Sequence, residues 1–106
     1  MKTISFIPPK NVAEAASLGL EFRKKFGRGG TEIGIARAQE LRRRETISLE
    51  TIMRMVSYFA RHEVDKKAPR FGDMENPSNG YIAWLLWGGD EGKKWAEGLK
   101  EIIRSA

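Results

Sequence analysis

The chain has 106 residues, of which 41% are hydrophobic and 31% are charged, a composition typical of one small folded domain rather than of a disordered chain. It contains no cysteine, which excludes disulfides, thiolate catalysis and cysteine-based zinc sites. Its net charge is +5 at pH 7, and residues 1–44 hold ten Lys/Arg against four Asp/Glu, whereas residues 45–106 hold nine against ten. This asymmetry indicates a basic face that could contact a polyanion.

The start of the chain predicts an N-terminal arm, residues 1–10, before a single helical domain of residues 11–106. Residues 3–7 favour an extended arm or a short edge strand, which Pro8 and Pro9 interrupt. Neither this start nor the apolar run 81–87 reaches the roughly 20 apolar residues of a membrane span. The sequence therefore predicts a soluble cytoplasmic protein with no membrane partner.

The spacing of apolar residues predicts an all-α fold, a compact bundle of four to five helices with a long loop between the third and fourth helices. Asn11 is the expected N-cap of a first helix that runs to about Phe26. Thr31 and Ser48 are the expected N-caps of the second and third helices. The residues expected to face inward are Ala15, Leu18, Phe22 and Phe26 on the first helix; Ile33, Ala36 and Leu41 on the second; and Leu49, Ile52, Met53, Val56, Phe59 and Ala60 on the third.

The second half of the chain predicts a loop followed by two further helices. Residues 64–79 are polar and interrupted by prolines, so they form a loop with at most one turn of helix. Ser78 or Asn79 begins a short fourth helix through Trp87, and Asp90 caps a fifth. Trp95, Leu99, Ile102 and Ile103 are expected on the inner side of the fifth helix. The predicted core comprises Phe22, Leu41, Leu49, Ile52, Val56, Phe59, Trp84, Leu85 and Trp95.

The residues that usually carry catalysis or bind metals are sparse. The sequence has one histidine, His62, and its neighbour Glu63 points about 100° away from it on a helix, so the pair does not form a metal site. The glycine-rich run 88–94 has the wrong spacing for a phosphate loop, and it carries two acidic residues where phosphate would bind. We therefore expect no enzyme activity, no metal and no cofactor.

Basic residues flanking a glycine loop are the main candidate for function. Glycines let the backbone approach phosphate closely, and the following helix N-terminus attracts anions. The second and third helices, joined by a short turn, could also pack as a helix-turn-helix variant. These features predict DNA as the partner, bound through its phosphate backbone, although a solvated basic surface is equally compatible with them. The candidate residues are Arg23, Lys24, Lys25, Arg28, Gly29, Gly30, Arg37, Arg42, Arg43 and Arg44.

A second candidate is a protein-docking surface around the charged segment after the third helix and the aromatic fourth helix. Tyr81, Trp84 and Trp87 recur every three residues, a spacing more typical of a core stripe than of a stacking platform, with one ring expected at a surface groove. Interfaces concentrate binding energy in Trp, Tyr and Arg. The candidate docking residues are Arg61, His62, Lys66, Lys67, Trp84 and Trp87.

Three runs of the sequence together resemble a small module of tailed phages and prophages. They are LEFRKKFGRGGTEIGIARAQEL (residues 20–41), TIMRMVSYFARHEVDKK (51–67) and NPSNGYIAWLLWGGDEGKKWA (76–96), and the resemblance covers about 80 of the 106 residues. The module occurs alone or joined to larger phage proteins, including head-maturation protease and DNA-transaction proteins. The resemblance implies a phage-encoded protein in the host cytoplasm, with no catalytic residues to carry over. It fits a binding or docking unit, with a phage or host protein as a possible partner.

Overall fold

The computed structural model describes residues 5–105, which form an all-α bundle. The helices are α1 (Lys10–Phe26), α2 (Glu32–Arg42), α3 (Leu49–His62), α4 (Asn79–Leu86) and α5 (Gly89–Ser105). A 3₁₀ segment, Glu63–Lys67, follows α3, and irregular chain then leads to α4. No β-strand occurs in this part of the chain, so the predicted all-α fold with its long third loop is confirmed.

Three of the helices begin at an N-cap that the sequence predicts. The hydroxyl of Thr31 accepts the N–H of Gly34 at 3.2 Å, and that of Ser48 accepts the N–H of Thr51 at 3.1 Å. Ser78 caps α4 in the same way. These N-caps are confirmed, and each contributes about 1 kcal/mol to helix stability.

Two other predicted caps are wrong because their side chains have distant partners. Asn11 lies inside α1, which begins after Pro9, and its amide donates to Glu91 Oε2 at 3.0 Å. Asp90 lies in the first turn of α5, where its carboxylate accepts the indole N–H of Trp84 at 2.9 Å. Both contacts join α5 to an earlier helix, and neither can be deduced from local sequence.

The N-terminal arm packs against the segment that connects α2 to α3. The carbonyl oxygen of Phe6 accepts the N–H of Ile47 at 2.9 Å, and Pro8 is fully buried. Residues 5–9 have no regular secondary structure, whereas Thr3 and Ile4, the start of the predicted strand, lie outside the described residues.

Helix α1 packs against α2 and α4, and α3 packs mainly against α5. Glycines allow the closest approach: a Cβ on Gly19 would lie 2.7 Å from the backbone nitrogen of Leu86. Within the described chain, α2 and α3 do not pack directly against each other. The predicted helix-turn-helix pairing of these two consecutive helices is therefore wrong.

Most of the predicted core is confirmed. Phe22, Leu41, Ile52, Phe59, Trp84 and Leu85 are buried, and Val56 and Trp95 are partly buried against the same cluster. Leu49 is the wrong member, with 44% of its surface exposed. The core also contains Val12, Ala16, Met55, Tyr58 and Ile82, which the sequence did not single out.

The inner face of α2 differs from the predicted one. Its buried residues are Gly34, Arg37, Ala38 and Leu41, whereas Ile33 is 62% exposed and Ala36 is exposed. Gly34 faces the core closely enough that a Cβ there would lie 3.3 Å from the indole nitrogen of Trp87. The predicted inward positions Met53, Ala60 and Ile102 are likewise exposed.

None of the helices described for residues 5–105 has both the length and the apolarity that a membrane crossing requires.

Candidate docking groove

The predicted DNA-binding residues do not share one surface. Helices α1 and α2 form a hairpin, and Arg44 Nε donates to the carbonyl oxygen of Pro8 at 2.8 Å, which places the end of α2 beside the start of α1. Residues 23–25 lie at the other end of α1, about 25 Å away along a 17-residue helix. The basic residues therefore separate into two groups at opposite ends of the hairpin.

Arg37 is an internal residue, contrary to its predicted role in binding phosphate. Only 9% of its surface is exposed, and its guanidinium lies 5.3 Å from the ring centroid of Trp87. It also forms an ion pair with Glu40. A phosphate would have to displace these contacts to reach it.

The glycine loop between α1 and α2 packs against α4. A Cβ on Gly29 would lie 2.7 Å from Ile82 Cβ, and one on Gly30 would lie 2.5 Å from Leu86 Cδ1. Arg28 donates to the side-chain oxygens of Asn79 at 2.7 Å and Asn76 at 2.9 Å. The close approach that these glycines allow is to a neighbouring helix, and Arg28 fastens the loop to the start of α4.

The remaining basic candidates differ in whether neighbouring side chains already bond to them. Arg42 donates to Gln39 at 2.8 Å, and Arg43 lies 3.6 Å from Glu45. At the opposite end of the hairpin, Lys24 and Lys25 are exposed and form no ion pair with any described carboxylate. Arg23 beside them is half-buried.

Two predicted docking residues, Trp84 and Lys66, contact each other and Asp90. Trp84 is 1% exposed, which confirms its predicted place in the core and removes it from any contact surface. Lys66 Nζ lies 4.8 Å above the Trp84 ring centroid and 3.3 Å from the Asp90 carboxylate that accepts the indole N–H. Lys67 in the same 3₁₀ segment is exposed. This network holds the segment after α3 against α4 and α5.

Trp87 and His62 belong to a continuous stack of flat side chains. His62 stacks on Tyr58 at 4.4 Å between ring centroids, Tyr58 stacks on Trp87 at 4.5 Å, and Arg37 covers the far side of Trp87. Because neighbours cover both faces of the Trp87 ring, a nucleobase cannot stack on it.

The hydroxyl of Tyr58 is buried in this stack. It has no hydrogen-bond partner among the described residues. Burial, and to a lesser degree the charge of Asp65, raises the pKa of the Tyr58 hydroxyl well above 10.0. The ring therefore remains neutral at physiological pH.

Above the stack lies a groove of about 790 Å³, which we call the α2–α3 groove. Trp87, Tyr58 and Ala83 line it, together with Ile33 from α2 and Met53 from α3. Ile33 and Met53 are 62% and 40% exposed, respectively. The groove exists because α2 and α3 each pack on other helices and leave the space between them open.

The charged side chains of the groove belong mainly to α3. Arg54 is paired with Glu50 at 2.8 Å, and His62 Nδ1 lies 3.0 Å from Asp65 Oδ2. Arg61, which is exposed, forms no ion pair with a described carboxylate. Of the predicted docking residues, Arg61, His62 and Trp87 thus meet in this groove, whereas Lys66 and Trp84 contact each other elsewhere.

The sequence prediction missed Ile33 and Met53 as surface residues. The sequence carried no clear signal of this, because apolar positions 49, 52, 53, 56, 59 and 60 span about 120° of α3, an ordinary width for a core-facing stripe. The outer part of that stripe, Leu49 and Met53, is exposed.

Among residues 5–105, no group of three or more His, Asp or Glu side chains is arranged to hold a metal ion. In comparisons with known proteins, the chain matches no family model, no curated protein and no solved structure. The resemblance to a phage module therefore stays a prediction.

Proposed function

We propose that this protein is a non-enzymatic docking module that holds a segment of another protein in the α2–α3 groove. The observation that carries the proposal is the pair Ile33 and Met53, two large apolar side chains exposed on helices that face each other across an open space.

Single exposed apolar residues are common on protein surfaces and need no explanation. A concave apolar site with a rigid floor is different, because such sites are typical of ligand and partner binding. Here the floor is the Tyr58–Trp87 stack, whose rings are already packed before any partner arrives. A preformed surface reduces the entropy lost on binding.

The resemblance to a phage module supports the same function. A unit that occurs alone and also joined to different phage proteins suits a docking role better than a catalytic one. The proposed setting is accordingly the cytoplasm of the infected host, with a phage or host protein as partner.

The groove can be tested without knowing the partner, by selecting peptides from a display library on the immobilised protein. Met53→Gln removes one apolar wall while keeping a good helix former. Ile102→Gln is the matched control, since Ile102 is 41% exposed on α5 and Met53 is 40% exposed. We expect selected peptides to bind the wild type and Ile102→Gln alike and to lose most of their affinity for Met53→Gln. Peptides that bind all these proteins equally would show that the groove is not the site.

DNA binding is the second candidate function, favoured by Lys24 and Lys25 at the end of α1, which are exposed and form no ion pair with a described carboxylate. Titration of labelled single- and double-stranded DNA at about 50 and 200 mM salt tests it, because phosphate contacts weaken steeply over this range. Lys24→Gln should lower the salt slope by about one. Absence of binding at low salt, or a slope unchanged by this substitution, would exclude the residue 23–25 end as a phosphate site.

A further inference from the structure

We infer that the occupant of the α2–α3 groove is a short amphipathic helix that carries acidic side chains, supplied by a partner protein. This inference rests on the proposed docking function and adds the partner's conformation and charge. Its apolar side chains would lie between Ile33 and Met53, and a carboxylate would face Arg61.

The shape of the groove favours a helix. The residues of α3 that line it extend from Glu50 to His62, about 18 Å or some three helical turns. A partner helix lying along α3 can pack its ridges against this wall, with Ile33 near the start of α2 on the opposite side, as in other helix-in-groove complexes.

An extended peptide fits this groove less well. Peptides in β conformation bind mainly by adding a strand to a sheet edge, and residues 5–105 contain no strand. Without such an edge, the N–H and C=O groups of an extended peptide would lose water with few partners in return. A helix satisfies these groups internally.

The charge of the groove favours acidic side chains. Arg54 and Arg61 line it against one carboxylate, Glu50, which is already paired with Arg54, and His62 already lies beside Asp65. Arg61 has no such pairing within the described chain. A partner carboxylate near Arg61 would gain an ion pair, whereas a basic partner would meet an unmatched positive charge.

The test uses fluorescein-labelled model peptides of 14 residues, measured by anisotropy at about 50 mM salt. The acidic peptide has leucines at helical spacing and glutamates on the polar face. The basic peptide replaces every glutamate with lysine, and the broken peptide is the acidic one with a central proline, which disrupts a helix. We expect the acidic peptide to bind at least about tenfold more tightly than either of the others.

Two substitutions locate the charge effect. Arg61→Glu and Lys24→Glu each reverse the charge of an exposed basic residue, in the last turn of α3 and of α1 respectively. Both substitutions place a negative charge at a helix C-terminus, so they should destabilise their helices to a similar extent. Arg61→Glu should weaken the acidic peptide by about fivefold, the effect of a modest surface ion pair. Lys24→Glu should leave it unchanged. Circular dichroism of each variant verifies that it is folded.

The outcomes separate the inference from the proposed function. Equal binding of the basic peptide, or equal effects of the two charge reversals, would overturn the acidic partner. Equal binding of the broken peptide would overturn the helix. In either case, loss of binding in Met53→Gln but not in Ile102→Gln would leave the groove as the docking site. If neither the model peptides nor library-selected peptides depend on Met53, the docking function itself fails.

Discussion

Tyr58 and Trp87 stack nearly parallel, with ring centroids 4.5 Å apart and an interplanar angle of 6°. Tyr58 belongs to α3, and Trp87 is the C-cap residue directly after α4. Because α2 contacts Trp87 through Gly34 and Arg37, the stack also connects α2 to α3, which do not touch directly. The Tyr58–Trp87 stack therefore both lines the base of the groove and connects α2 to α3.

Removing the Trp87 ring should be one of the most costly substitutions in the chain. Trp87→Ala is expected to lower the free energy of unfolding by about 3–5 kcal/mol, because it empties a buried aromatic site. Trp87→Phe keeps an aromatic ring against Tyr58 and should cost clearly less. Urea unfolding followed by circular dichroism measures both, and a loss below about 1 kcal/mol for the alanine variant would contradict the role assigned to the stack.

Tyr58→Phe, unlike Trp87→Ala, should not lower the free energy of unfolding. The ring and its stacking remain, whereas the variant loses a buried hydroxyl that has no hydrogen-bond partner among residues 5–105. Leaving a buried polar group unsatisfied costs about 1–3 kcal/mol, so the variant should be as stable as the wild type or more stable. A loss of stability in urea unfolding would show that the hydroxyl has a partner in solution.

The raised pKa of the Tyr58 hydroxyl predicts that the free energy of unfolding decreases at high pH. Burial, followed by the charge of Asp65, raises the pKa of Tyr58 in the folded protein above the ordinary value of 10.0. The unfolded chain therefore loses this proton first, so the contribution to stability is complete below about pH 10 and declines as the pH rises further, by up to about 1.4 kcal/mol per pH unit.

Tyr58→Phe should flatten this alkaline decline in unfolding experiments between pH 9 and 11. Some decline will persist, because burial also raises the pKa of Tyr81. Identical pH profiles for wild type and variant would mean that Tyr58 is not protected from ionisation in the folded state.

Helix glycines give a matched test of packing. Gly19 in α1 and Gly98 in α5 both lie inside helices, but a Cβ on Gly19 would lie 2.7 Å from a backbone atom of α4, whereas one on Gly98 would meet nothing within 4 Å. Gly98→Ala should stabilise the protein by about 0.5–1 kcal/mol, the usual gain in a helix interior.

Gly19→Ala should be destabilising in spite of the same gain in helix propensity, by about 1–3 kcal/mol, because α1 and α4 must separate. Thermal unfolding of the two variants side by side checks the sign of each effect. Two stabilising substitutions would show that α1 and α4 are not so closely packed.

The hydrogen bond from Trp84 to Asp90 predicts that two substitutions of Asp90 lower the free energy of unfolding by different amounts. Asp90→Ala leaves the buried indole N–H without its acceptor and should cost about 1–3 kcal/mol. Asp90→Asn keeps an oxygen in place and loses mainly the exposed ion pair with Lys66, for which a cost of no more than about 1 kcal/mol is typical. Equal losses in urea unfolding would show that the hydrogen bond to Trp84 contributes little.

Local signals predicted local features well. The sequence predicts the caps Thr31 and Ser48, and Ser78 as one of two alternatives, because each bonds to a backbone group three residues away, a distance that the sequence itself defines. The apolar spacing likewise identified Phe22, Ile52 and Phe59 as core residues. Asn11 and Asp90 were assigned wrongly because their partners come from other helices.

The candidate site was predicted only in part. The sequence predicts Arg61, His62 and Trp87 as docking residues, and they lie in the groove, but it predicts that Ile33 and Met53 are buried, whereas both are exposed. Helical periodicity shows that a side chain lies on an apolar face and does not show whether another helix covers that face.

By itself, the sequence determined the helical class, most of the helix boundaries and the uneven distribution of charge, since these follow from spacing, capping and composition. The tertiary structure decided which residues remain available to a partner. Gly29 and Gly30 approach α4, and Arg37 covers Trp87. The basic C-terminal ends of α1 and α2 lie at opposite ends of the hairpin that these helices form. The groove arises because α2 and α3 are consecutive in the chain yet pack on different neighbours, and such a choice depends on contacts between residues far apart in sequence.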